Sequence, residues 1–185
     1  SSATVETINL ISTDIYIYGC MVVIIIGLIN NFMNTFVFSL KNYRTNSCSL
    51  YLMTSEMSNA VNLLVYVLPT VVGLITGENG TEIYLWWCKL MNFFGNQLLA
   101  LSTITLCLAS IDRYYSTNPN ALVRRRSSMK AAKISILIAL FASLLLAIPE
   151  LLYRGIDYTY GTPICTKISP VYNLCLTYFY LLLFC

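Results

Sequence analysis

The chain has 185 residues, a net charge of +3 and no histidine, and it is 57% hydrophobic with only 10% charged residues. A soluble domain carries about 25% charged residues, so too little polar surface is available here to cover a water-soluble globule. The composition describes an all-α integral membrane protein in contact with the lipid bilayer, with no nucleic-acid partner expected.

A membrane-crossing helix needs about 20 mostly apolar residues. Residues 1–14 are read as an extracellular N-terminal segment and residues 15–185 as the membrane domain, with spans over approximately 15–40, 47–76, 90–111, 134–153 and 172–185. The first and third spans are uncharged, and the second holds a single acid, Glu56. The fourth reaches Tyr153 only by admitting Glu150 near its end, and the fifth is cut off at Cys185. The chain does not begin with Met and closes inside an apolar run, which reads as a fragment. No basic stretch, apolar core and small-residue cleavage site open it, so the first span is expected to serve as its own targeting signal.

Lysine and arginine set the expected orientation. Lys41 and Arg44 fall in one loop, and the stretch from Arg113 to Lys133 carries six basic residues, Arg124, Arg125 and Arg126 among them. The positive-inside rule puts these two loops in the cytoplasm. The amino terminus and the segments near 77–89 and 154–168 are then external. Asn79-Gly80-Thr81 is a glycosylation sequon in one of them, although Asn-Gly is equally a turn pair. Cys88 and Cys165 both fall on the oxidising side, where disulfides persist. Residue types alone leave their pairing open.

Cys88 and Arg113 are 25 residues apart, which on a helix is roughly 37 Å, enough to cross a hydrocarbon layer of ~30 Å. One helix thus has a cysteine at its outer end and Asp112-Arg113-Tyr114 at its inner end. This arrangement resembles the third helix of rhodopsin-like (class A) G-protein-coupled receptors. The stretch "GLINNFMNTFVF", with Asn31, resembles the family's first helix, and "SLYLMTSEMSNAVNLL" its second. Pro69 and Pro149 lie toward the outer ends of the second and fourth helices, as family prolines often do. The likeness covers about residues 15–165. Departures are Asn59 where the family has an aspartate, no tryptophan near Ala139, no recognisable fifth-helix proline, and no sixth or seventh helix.

The resemblance implies a seven-transmembrane receptor bundle represented by helices one to five, in the plasma membrane. It pairs Cys88 with Cys165. It makes Asp112, Arg113 and Tyr114 the coupling switch for a heterotrimeric G protein, with Asp112 holding Arg113 at rest. It groups Asn31, Asn59 and Ser102 at the family's sodium site. With Asn59 in place of the acid, no strong sodium effect on ligand affinity is expected. Read as residues alone, these polar groups must find partners in the bundle interior, and packing between helices satisfies them equally. Glu56 lies three residues before Asn59 and shares its side of the helix; the favoured reading is a protonated acid against a neighbouring helix.

Asn92, Gly95, Asn96 and Leu99 recur at i, i+3, i+4 and i+7 on the outer half of the third helix. The family lines its ligand cavity with that face. Gly95 occupies the position where amine receptors carry an aspartate, so an amine is disfavoured. The uncharged face, with Glu78, Glu82, Glu150 and Asp157 toward the external side, favours a peptide. The plainer reading is that Asn92 and Asn96 bond neighbouring helices. Ser127 and Ser128 follow three arginines and match a basic-directed phosphosite, in a loop that equally anchors on anionic lipid.

No catalytic motif is recognisable. Histidine is absent, the thiols are scattered, and no Gly-rich phosphate loop occurs. No enzyme, cofactor or metal is expected. Two alternatives stay open. One is a transporter or channel using Glu56 and the central asparagines as a polar path, although no clear internal repeat is visible. The other is a truncated, non-signalling receptor that acts by pairing with other receptors.

Overall fold

The computed structural model describes residues 2–41, 43, 45–76, 84–157, 164–169 and 174. Helix α1 runs Ser2–Ser39 and α2 Ser47–Asn62. A π-helical turn, Leu63–Val67, joins α2 to α3, Leu68–Thr76. Helix α4 is Leu85–Thr117, α5 the short Ala121–Arg124, and α6 Met129–Tyr153. Strands β1, Arg154–Asp157, and β2, Ile164–Lys167, form an antiparallel hairpin with Ile156 opposite Cys165.

Four helical stretches are long and apolar enough to cross a membrane: Ile11–Ser39, Ser47–Thr76, Leu85–Thr117 and Met129–Tyr153. They correspond to the first four expected spans. The helices run further than the apolar windows suggest. Residues 2–14 continue α1 as helix, because no proline or glycine interrupts the chain before Gly19. Helix α4 has 33 residues, about 50 Å at 1.5 Å per residue. Of the expected fifth span only Leu174 is among the described residues.

Local chemistry sets the helix starts. The Asn46 side chain accepts from the Cys48 backbone N–H at 3.1 Å and caps α2. Ser128 caps α6 by accepting from Ala131 N–H at 3.3 Å. Each satisfies an otherwise orphaned donor. The π turn has a local cause as well. Pro69 has no N–H to give, and its ring crowds the carbonyl four residues back. The wider turn, in which Leu68 N–H reaches Leu63 O, carries the helix past it.

Helix α4 is the centre of the bundle, packed between α2 and α6. Helix α6 meets it along a line of small buried residues, Ala132, Ala139, Ser143 and Ala147. Small side chains let helices approach closely where lipid supplies no hydrophobic drive. Gln97 donates to Ser143 Oγ across this seam at 3.3 Å. The missing tryptophan near Ala139 fits the same geometry, since Ala139 is buried in the seam. Below it, Cys48, Tyr51, Ala109 and Ala132 form one buried cluster. By contrast α1 leaves Ile15, Val22, Ile26, Ile29 and Phe36 exposed, an apolar face suited to lipid.

Candidate functional site

Three polar regions are distributed along α4. At its first turns Cys88 is bonded to Cys165 of β2, with Cα atoms 5.9 Å apart. The hairpin is thereby pinned over the end of α4. Asn92 lies beneath the bridge. Its amide donates to Cys88 O at 2.8 Å and to Cys165 Sγ at 3.4 Å, and its Oδ1 accepts from Tyr66 Oη at 3.3 Å. Behind the hairpin, Glu150 is 1% exposed and accepts from Arg154 Nε at 2.6 Å. Lys167 pairs with Arg154 across the strands. Burial holds the Lys167 ammonium below its usual range, as does the Arg154 charge, and Glu150 offsets part of this.

One turn deeper lies a cavity of about 380 Å³, lined by Asn62, Tyr66, Gly95, Asn96 and Leu99. Three of the four residues expected on a ligand-facing surface line it: Gly95, Asn96 and Leu99. Asn92 does not, because its polar atoms are turned to the disulfide and to Tyr66. Sequence reasoning missed Asn62, the last residue of α2, and Tyr66, which lies within the π turn. Gly95 has a steric reason to be glycine: a Cβ there would lie 2.8 Å from Tyr66 Cδ2 and 2.9 Å from Cγ. Asn62 Oδ1 is buried with no hydrogen-bond partner. A buried acceptor of that kind is expensive to leave unmade, and it borders a space where a donor fits.

The third region is the far end of α4. Asp112 is 7% exposed. Its Oδ2 accepts from Ser47 Oγ at 2.7 Å and its Oδ1 from Ser127 Oγ at 2.9 Å. The two hydroxyls are 3.1 Å apart. Each serine has one hydroxyl proton, so with both given to the carboxylate neither is left for the other serine. Ser47 is the first residue of α2, and Ser127 precedes the cap of α6. The carboxylate therefore ties together two helix starts, where the helix dipole favours negative charge. Arg113 is turned elsewhere: its Nε donates to Cys48 Sγ at 2.9 Å, and the residue is otherwise exposed. No ion pair joins Arg113 to Asp112. Consecutive helical residues point about 100° apart, and both side chains reach the start of α2 at different atoms, Asp112 at Ser47 and Arg113 at Cys48. Tyr114 is exposed beside Tyr115.

The four polar residues expected inside the bundle lie on α1, α2 and α4. No hydrogen bond joins Asn31, Glu56, Asn59 and Ser102 to one another. Ser102 Oγ meets Ser55 Oγ at 2.9 Å, between α4 and α2. Glu56 Oε1 accepts from Asn34 Nδ2 at 3.2 Å, between α2 and α1. Asn31 is buried and Asn59 half-buried. Ser55 and Asn34 were missed because nothing in the local pattern separates a serine or asparagine that bridges helices from one that does not. Asn79 lies outside the described residues. Among the described residues no group of three or more potential ligands is placed to hold a metal ion.

Fold and composition together define an α-helical protein of the membrane-embedded kind. No protein-family model and no curated protein sequence matches the chain.

Proposed function

We propose that the chain is the greater part of a rhodopsin-like (class A) G-protein-coupled receptor of the plasma membrane, with its amino terminus outside. It takes an extracellular ligand, a peptide rather than an amine, and passes the signal to a heterotrimeric G protein. One observation carries the reading: a single helix bears a hairpin-anchoring disulfide at one end and the Asp112-Arg113-Tyr114 triplet at the other. The cavity beside the disulfide supports it, because its lining includes Gly95, Asn96 and Leu99. None of the five lining residues is acidic, which argues against a ligand that needs a carboxylate for its ammonium. Arg113 is exposed and bonds Cys48 rather than Asp112, which supports a role for it in meeting a protein partner.

A ligand shifts such an equilibrium only by its differential affinity for the two states. The test is nucleotide exchange on G proteins in membranes that carry the protein, challenged with a peptide library and with amine transmitters. A peptide is expected to stimulate exchange and amines are not. Arg113→Ala is expected to abolish exchange at unchanged surface expression. Absence of exchange with every peptide and every G-protein class, at verified surface expression, would overturn the proposal.

A further inference from the structure

We propose that Ser127 is the acceptor for an arginine-directed protein kinase, and that its phosphate exchanges the Asp112 contact for the arginines beside it. The loop faces the ATP-containing side of the membrane in the orientation proposed above, and the inference rests on that reading. Three observations lead to it. Arg124, Arg125 and Arg126 stand three, two and one residues before Ser127, and all are exposed. Kinases select substrates by such charge patterns. Residues 127 and 128 lie outside any helix or turn, between α5 and α6. Finally, the Ser127 hydroxyl is the link from this loop to Asp112 and Ser47.

The chemistry is a phosphoryl transfer. Ser127 Oγ attacks the γ-phosphorus of ATP, and a new O–P bond forms. The bridging P–O bond breaks, ADP leaves with its electron pair, and the serine proton passes to the kinase's base. The product cannot remain where Ser127 is. A phosphate carries nearly two negative charges and only acceptor oxygens at neutral pH, and the Asp112 carboxylate 2.9 Å from Oγ is also an acceptor. Repulsion expels the phosphate, and the guanidinium groups of residues 124–126 are suited to bind it. The start of α6 is then released from α4 and α2. Ser128 is the contrast: it is exposed and caps α6, so a phosphate there leaves the Asp112 contacts in place.

Ser127 is half-buried with its proton engaged, so the loop must open before a kinase reaches it. The rate of phosphorylation therefore reports that opening. The experiment uses the full chain in lipid nanodiscs with ATP and a purified kinase that selects arginine two and three residues before serine. Sites are mapped by mass spectrometry, and amide exchange is followed at the first turns of α2 and α6. Expected are phosphate on Ser127, an initial rate raised about 10-fold by Asp112→Asn, and faster amide exchange at both helix starts after phosphorylation. Phosphate confined to Ser128 overturns the proposal, as does a rate indifferent to Asp112→Asn, or unchanged amide exchange once Ser127 is modified. A peptide spanning 120–134 serves as control that the kinase accepts the sequence. Nanodiscs expose both faces, so the result is independent of membrane orientation and of G-protein coupling, which stand or fall by nucleotide exchange.

Discussion

Replacing Asp112 by Asn should loosen the junction at the Asp112 end of α4. The two serine hydroxyls meet the carboxylate at 2.7 and 2.9 Å, within the ordinary range for O–H···O hydrogen bonds. A hydrogen bond to a charged group contributes about 1.5–3 kcal/mol and a neutral one about 0.5–1.5. Asparagine keeps one carbonyl oxygen and presents an amide that can only donate. One serine then has a neutral acceptor, and the other must reverse its hydroxyl. The loss is about 1 kcal/mol or somewhat more at each contact, about 2–3 kcal/mol together, which shifts the balance between joined and separated helix starts by about 30- to 150-fold. Two assays read it. Amide exchange at the first turn of α2 should accelerate by that order, and ligand-free nucleotide exchange on a G protein should rise. Ser47→Ala with Ser127→Ala should reproduce most of the effect and leave little for Asp112→Asn to add. Unchanged amide exchange in a properly inserted Asp112→Asn protein would refute the assignment of these contacts as the tie.

Gly95→Ala sets a methyl 2.8 Å from the Tyr66 ring and should destabilise by about 1–3 kcal/mol, seen as a lower unfolding temperature in detergent and relieved by Tyr66→Leu. Cleaving the Cys88–Cys165 bridge, which spans 77 residues, should cost about 4.5 kcal/mol by the chain-entropy estimate. Thermal unfolding with and without a reductant measures it, and Cys88→Ser should show no further response to the reductant. Arg154→Met removes the ion-pair partner of the Glu150 carboxylate, which is 1% exposed, and should destabilise by about 1–3 kcal/mol. Adding Glu150→Gln should recover much of that loss in the same unfolding measurement.

The long apolar helices were legible because long uncharged runs have few other uses, and Ser47–Thr76 is one of the four helical stretches long and apolar enough to cross a membrane. The hairpin was not legible. Its register depends on pairing Ile156 with Cys165, a long-range match that neither short strand announces. Asp112 was visible as a lone acid at a helix end, but its partners were not: Ser47 is 65 residues away in sequence. The family resemblance implied that Asp112 holds Arg113, whereas Asp112 is bonded to Ser47 and Ser127 and Arg113 to Cys48. Gly95 was read as an absent carboxylate, whereas the structure gives it a packing reason, the ring of Tyr66. That ring arrives through the π turn, of which Pro69 was the visible trace.

The π turn has a consequence for how this helix is counted. Five residues, Leu63–Val67, occupy a turn wider than the α-helical one, so the segment beyond it is offset by about one residue, or some 100° of rotation, from an unbroken helix. A related chain with a regular helix here would match this one with a single-residue gap. An ungapped alignment anchored on Asn59 would misname every position from Leu68 to Thr76. Deleting one residue within the turn is then a small edit with a large geometric effect: it would rotate the segment from Leu68 to Thr76 by about 100° against α2 and α4.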